Sequence, residues 1–122
     1  MRRLVIIPTY NECENIVPMI DKVMSLQPSF DLLIVDDGSP DGTAQLVREA
    51  QTTYGDRLHL IERSGKLGLG TAYIVGFRYA LAEGYDRLFE MDCDFSHNPD
   101  DLAALDTLLD SRDVAIGSRY SR

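Results

Sequence analysis

An α/β fold, built on a mostly parallel sheet flanked by helices, is predicted by three features of this chain. Short apolar runs rich in β-branched residues recur along it, longer amphipathic stretches separate them, and polar residues gather just after the runs, where parallel sheets place their ligands. The elements follow in order. A first strand near residues 3–7 leads to a helix with Asn15 as N-cap and Pro18 in the first turn, where a missing N–H does little harm. A second strand near 31–36 leads through Ser39, Pro40 and Asp41 into a helix running to about Tyr54. After a third strand near 57–62, the stretch Lys66-Leu67-Gly68-Leu69-Gly70 reads as a loop entering a close-packed helix that Gly84 closes. In that helix Tyr73, Gly76, Phe77 and Ala80 fall at helical spacing and are assigned to the core. A fourth strand near 86–91 precedes Asn98 and Pro99, which repeat the capping logic, and a helix whose Asp100, Asp101, Asp106 and Asp110 suit a solvated face. A fifth strand is expected near 113–116, close to the end of the chain, so residues 1–122 are expected to be the N-terminal part of a longer protein.

Composition narrows the class. The chain has 122 residues, 44% apolar and 26% charged, as one ordinary globular domain has, with no internal repeat or linker. Its longest apolar runs, 4–7 and 32–35, fall far short of the ~20 residues a membrane span needs, and no secretory leader precedes them. A soluble, cytoplasmic chain is expected. Cys13 and Cys93 are widely separated and form no C-x-x-C pair, so neither a zinc site nor a disulfide framework is indicated. The formal net charge of −8 argues against nucleic acid as a partner, and a polyanionic ligand would need a local arginine or a metal ion.

The sharpest chemical signal is Asp92-Cys93-Asp94, directly after the apolar Leu88, Phe89 and Met91. In an extended segment, residues two apart point to one side, so both carboxylates can converge on one hard divalent cation. The competing reading is a polar turn. Mutual repulsion weakens it, because two carboxylates in an already acidic chain are destabilising unless a cation or donor network neutralises them. Other strand ends carry Pro8-Thr9-Tyr10-Asn11-Glu12, Asp36-Asp37-Gly38-Ser39-Pro40-Asp41-Gly42-Thr43 and Gly117-Ser118-Arg119-Tyr120. Asp37 can accept the N–H donors of a guanine edge or the ring N–H of a uracil. Tyr10 can flank such a base or be a half-buried loop aromatic, and Glu12 can serve a ligand or only the helix dipole. Asp41 and Gly42 read as turn and cap residues. The Lys66 to Gly70 stretch fails the phosphate-loop pattern, and His97 reads as a loop hydrogen-bonder. Arg119 either pairs with one of the aspartates or faces a ligand phosphate.

These motifs, with Lys66-Leu67-Gly68-Leu69-Gly70-Thr71-Ala72-Tyr73 and Met91-Asp92-Cys93-Asp94-Phe95-Ser96-His97, resemble in order those of the dolichol-phosphate (polyprenol-phosphate) mannosyltransferases, inverting family-2 glycosyltransferases of the GT-A fold. The resemblance covers essentially the whole chain. It implies a Rossmann-like GT-A nucleotide-sugar-binding fold in which the nucleotide of GDP-mannose lies against Pro8, Tyr10, Glu12, Val35 and Asp37. It also implies that Asp92 and Asp94 hold Mg2+ or Mn2+ on the diphosphate, with Ser96 standing where some members have a glutamine that assists the metal. The backbone around Met91 and Cys93 would line the sugar-nucleotide, Arg119 would reach a phosphate, and Asp92, Asp94 and Arg119 would carry the catalysis. The implied acceptor is a polyprenyl phosphate in a membrane, the implied setting is peripheral at the cytoplasmic face, and the acceptor-binding half is expected beyond this sequence. Cys93 departs from the family, which usually has alanine there. Two rivals stand beside this reading. One is a related family-2 transferase using UDP-glucose or another nucleotide sugar. The other is a phospho-receiver signalling domain, although the acidic pair follows the second strand and the only lysines are Lys22 and Lys66.

Overall fold

The computed structural model describes residues 1–64, 68–94 and 98–109. Four strands, β1 (Arg3–Thr9), β2 (Asp31–Asp36), β3 (Leu58–Glu62) and β4 (Arg87–Glu90), form one parallel sheet in the order β3-β2-β1-β4. Four α-helices connect and follow them: α1 (Ile16–Met24), α2 (Thr43–Tyr54), α3 (Leu69–Glu83) and α4 (Asp101–Leu109). The α/β class and the parallel sheet are as predicted. The fifth strand at 113–116 and Asp110 lie outside the described residues.

The strand order explains which helix covers which face. Right-handed crossovers from β1 to β2 and from β2 to β3 put α1 and α2 on one side, and the return across the sheet to β4 puts α3 on the other. The alternating side chains of the strands supply both cores. Val5, Ile7, Leu32, Ile34 and Phe89 pack with α1, α2 and Leu102 of α4, whereas Leu4, Ile6, Leu33 and Val35 pack with Ala72 and Ala80 of α3. Burial on both faces is why β1 and β2 read as unbroken apolar runs rather than alternating ones. The reversal of direction between β1 and β4 makes the end of β1 the switch point of the sheet, where such folds form their crevice.

The caps follow sequence chemistry with one exception. Asn98 accepts the Asp100 N–H through Oδ1 at 3.0 Å, and Gly84 closes α3 in the left-handed conformation, φ +75°. Helix α2 starts at Thr43, with Gly42 at φ +89° before it, and ends at Tyr54. Asn15 occupies the N-cap position of α1 without a side-chain capping bond; its amide donates instead to Glu12 Oε1 at 3.2 Å.

Two assignments are corrected. Phe77 is not core but 37% exposed, because the face of α3 against the sheet runs through Ala72, Gly76 and Ala80, and Phe77 falls beside that ridge. Asp106 is not on a solvated face. One turn after the buried Leu102, it points inward and is only 4% exposed, accepting from Arg3 Nε at 2.7 Å and Arg87 Nη1 at 2.8 Å. Arg3 and Arg87 are register partners on β1 and β4, so their side chains leave the same face together and need an anion between them. Helical spacing fits either face; the paired arginines decide it. Burial acts to raise the Asp106 carboxyl, but the hydrogen bonds from Arg3 and Arg87 outweigh it and hold the pKa below its ordinary value. Among the described residues, no helix is long and apolar enough to cross a membrane.

The packing of α3 and the buried charge on α4 are each open to measurement. A Cβ at Gly76 would stand 2.6 Å from Ile6 Cγ2, whereas one at Gly70 would meet nothing within 4 Å. Gly76→Ala is therefore expected to lower the melting temperature, overpacking of ~1–3 kcal/mol exceeding the helix-propensity gain of ~1 kcal/mol, while Gly70→Ala raises it. For Asp106, a folded-state pKa below the unfolded one means stabilisation that is complete above the ordinary carboxyl range and lost as pH falls through the folded value. Urea denaturation of Asp106→Asn is expected to show a deficit of ~3 kcal/mol at pH 7 that shrinks below about pH 4.

Candidate functional site

Parallel pairing lines up the carboxyl ends of all four strands, and with them the loops after each. Along this edge stand Arg63 after β3, Asp36 and Asp37 at the end of β2, Thr9 and Tyr10 at the end of β1, and Met91 to Asp94 after β4. Backbone bonds continue the ladder past the strands: Asp37 N–H donates to Thr9 O at 3.0 Å, Arg63 N–H to Asp36 O at 2.8 Å and Met91 N–H to Ile6 O at 3.2 Å.

The adjacent carboxylates of Asp36 and Asp37 are both buried, and each is compensated differently. Asp36 receives neutral donors: Thr9 Oγ1 and Ser39 Oγ, both at 2.7 Å, and the Ser39 N–H at 3.0 Å. Asp37 receives a cation. Arg63 grips it bidentately, Nε to Oδ1 at 2.6 Å and Nη2 to Oδ2 at 2.9 Å, with both side chains under 10% exposed. The same guanidinium donates to Thr71 Oγ1 at 2.9 Å and to Gly68 O at 3.2 Å, tying the start of α3 to the end of β2. No sequence motif singles out Arg63. The available signal is its position: the first residue past a strand of a parallel sheet, beside a carboxylate needing a partner.

The loop after β1 turns sharply at Asn11, which adopts φ +56°, a conformation asparagine tolerates better than most residues. Tyr10 precedes it and is exposed at the edge, while Pro8 is half-buried. Glu12 is half-buried, and its backbone carbonyl accepts from Asn15 and Ile16 at the entry to α1. Beyond β4, Cys93 is buried, Asp92 half-buried and Asp94 exposed, so the flanking carboxylates lie outward of an inward thiol. Burial, then the negative fields of Glu12, Asp94 and Asp92, push the Cys93 thiol above its ordinary pKa, which makes it a packing residue. Val35, Met91 and Cys93 direct their side chains into the cores, so only their main chain can face a ligand.

Two carboxylates form an all-oxygen donor set suited to a hard dication. Among the described residues no group of three or more His, Cys, Asp or Glu side chains could hold a metal ion alone. A cation at Asp92 and Asp94 would draw its remaining ligands from phosphate oxygens and water, as Mg2+ characteristically does. Asp41 matches its reading as a turn and cap residue: the Thr43 hydroxyl hydrogen bond, followed by donors from Cys13 and the Thr43 N–H, lowers its carboxyl to about 2. Ser96, His97, Lys66 and Arg119 lie outside the described residues.

Comparison with known proteins assigns this parallel α/β sheet to the GT-A glycosyltransferase fold and names the family. The chain belongs to Glycosyl transferase family 2, which matches residues 4–122. It is 49% identical over 120 residues to polyprenol monophosphomannose synthase of Mycolicibacterium smegmatis, covering 98% of this chain and 45% of that protein. It is 44% identical over 119 residues to undecaprenyl-phosphate mannosyltransferase of Micrococcus luteus, covering 98% and 49%. Among solved structures it is similar to a Pyrobaculum calidifontis mannosyltransferase in complex with GDP-Man and Mn2+, with a TM-score of 0.78 at 29% identity over 88% of this chain and 32% of that one. The chain thus spans about half the length of the curated relatives it matches. Membership leaves the phospho-receiver alternative without support.

The buried pair lends itself to a double-mutant cycle. Asp37→Ala and Arg63→Ala are each expected to destabilise by ~3 kcal/mol, since each strands a buried charge. The double variant should lose less than the sum, with a coupling of ~1–3 kcal/mol in urea denaturation.

Proposed function

We propose that this chain forms the donor-binding part of an inverting glycosyltransferase that moves mannose from GDP-mannose to a polyprenyl (dolichyl) phosphate with the help of Mg2+ or Mn2+. The observation that carries the reading is the arrangement along one sheet edge. Asp37 follows β2, Asp92 and Asp94 follow β4, and β1 with its Tyr10 loop lies between, which separates the carboxylate groups by two strand spacings, roughly 10 Å. A nucleoside diphosphate bridges such a span, base at one end and phosphates at the other. The named activities of the mannosyltransferase relatives, and the GDP-Man and Mn2+ of the Pyrobaculum complex, favour the guanine donor over UDP-glucose.

In this reading Asp37 accepts the N–H donors of the base, its charge balanced from behind by Arg63, while Tyr10 flanks the ring and Glu12, Pro8 and the Val35 main chain complete the nucleoside pocket. Asp92 and Asp94, with Ser96 of the same motif, would hold the divalent ion, which would offset the negative charge developing on the leaving diphosphate. The Met91 and Cys93 main chain lines the sugar-nucleotide, and Arg119 contributes positive charge to a phosphate. A polyprenyl monophosphate has a second pKa of about 6, so near neutral pH its oxygen is already a nucleophile and no side chain has to remove a proton. That oxygen bonds to the anomeric carbon as the bond to GDP breaks on the opposite side. GDP leaves with the electron pair, and the product is inverted, β-linked polyprenyl-phosphate mannose. With a membrane-borne acceptor, the protein works in this reading at the membrane surface, peripherally at the cytoplasmic face.

Calorimetric titration of GDP-mannose with and without Mn2+, against UDP-glucose as control, tests the donor: metal-dependent binding of GDP-mannose alone is expected, and preference for UDP-glucose sinks the assignment. In the full-length protein, Asp94→Ala or a chelator is expected to reduce mannosyl transfer by about 100-fold or more, as loss of electrostatic stabilisation does elsewhere. Undiminished transfer by Asp94→Ala in chelator overturns the role of the carboxylate pair.

A further inference from the structure

Ser39 and Asp41 lie in the β2–α2 loop, which reads as a turn and a helix cap, Thr43 opens α2, and the reaction proposed above assigns them nothing. Their side chains nonetheless address the neighbouring loop. Three consecutive amides there are each accepted by one of them: Asn11 N–H by Ser39 Oγ at 2.9 Å, Glu12 N–H by Thr43 Oγ1 at 3.1 Å and Cys13 N–H by Asp41 Oδ2 at 3.0 Å. The acceptors are themselves anchored. Ser39 donates its hydroxyl to the buried Asp36 at 2.7 Å, and Asp41 Oδ1 accepts both the N–H and the hydroxyl of Thr43, at 3.0 and 2.5 Å. Thr43 is fully buried, so its hydroxyl has no water to turn to.

The clamp acts on an irregular segment. Asn11 holds φ +56°, a left-handed turn that asparagine adopts more readily than most residues. Tyr10 lies between two residues that are each fixed by hydrogen bonds. On one side Thr9 is bonded through its carbonyl to Asp37 and through its hydroxyl to Asp36; on the other, Asn11 is bonded to Ser39. Glu12 is held next in line. The residues assigned to flank the base therefore stand on backbone that Ser39, Asp41 and Thr43 hold.

We infer that Asp41, acting through Thr43 and together with Ser39, is a positioning residue for the nucleotide donor: it touches no part of the donor but holds Tyr10 and Glu12 where they meet it. This rests on the donor-site reading above and deepens it. Asp41 stays anionic throughout the working pH range, since the Thr43 hydroxyl bond holds its carboxyl at about 2, so the clamp does not loosen near neutrality.

The test uses the full-length protein and GDP-mannose kinetics. Asp41→Asn, which replaces one of two acceptor oxygens with an N–H donor, and Thr43→Val, which leaves the Glu12 amide without its acceptor, are each expected to raise the donor KM by about tenfold while changing kcat by no more than about twofold. Thr43→Ser, which keeps the hydroxyl, should restore the KM. In a Tyr10→Ala background the effect of Asp41→Asn should shrink, because one of the two residues it positions is gone. An effect of undiminished size in that background means Asp41 acts only on general stability and overturns the inference. So does an unchanged KM in both variants while Tyr10→Ala alone weakens the donor, which leaves the donor site standing. Should Tyr10→Ala leave donor KM unchanged, the donor-site reading itself fails, and the inference with it. If Asp41→Asn does not fold, the contrast of Thr43→Val with Thr43→Ser decides alone.

Discussion

Two buried carboxylates side by side at the end of β2 impose the constraint on which this edge of the molecule is built. Asp36 and Asp37 would repel each other and resist burial unless each were supplied with donors. Their solutions draw in different parts of the chain: Asp36 recruits Thr9 from β1 and Ser39 from its own loop, and Asp37 recruits Arg63 from the end of β3. Three strand ends are thereby joined by short polar bonds at a place where the backbone ladder runs out. An exposed site usually trades order for access. Here the exposed Tyr10, and Asp92 and Asp94 beyond β4, stand beside a floor of buried carboxylates that draws its donors from three strand ends.

A second charged cluster does comparable work at the opposite end of the sheet. Arg3 and Arg87 begin β1 and β4, and Asp106 between them fastens α4 across that pair. Strands β1 and β4 are the two that flank the switch point. The cluster that secures α4 thus also holds in register the pair of strands whose far ends carry Tyr10 on one side and Asp92 and Asp94 on the other. Removing Asp106 would leave two neighbouring guanidinium groups without their shared anion, which is why such a triad is sensitive at that member even where an apolar substitute for all three would be tolerated.

Much of this is legible in the order of the residues. The four described strands fall where β-branched runs place them, and helix ends at Tyr54 and Gly84 follow from local chemistry that needs no distant partner. The strand-end positions of Pro8, Tyr10, Glu12, Asp37, Asp92 and Asp94 follow from the rule for parallel sheets, and the resemblance of the motifs points to the family to which the chain proves to belong. The misses share one cause. Phe77, Asp106 and Arg63 each sit in a segment whose local pattern is compatible with two surroundings, and only contact with a remote element chooses between them. For Phe77 it is the close approach of α3 at Gly76; for Asp106, the register of Arg3 with Arg87; for Arg63, the neighbouring end of β2.

Sequence alone therefore determined the class of fold, the order of its elements, the chemistry gathered at the strand ends and the family. All of these depend on periodicity, turn residues and short motifs, which act over a few residues and can be read one segment at a time. Tertiary structure decided how the charges are matched: Asp37 with Arg63, Asp106 with Arg3 and Arg87, and the amides of the β1–α1 loop with Ser39, Asp41 and Thr43. Matching a buried charge or a loop amide depends on which strands become neighbours, and the crossover to β4 that sets the neighbours is a property of the assembled sheet rather than of any segment in it.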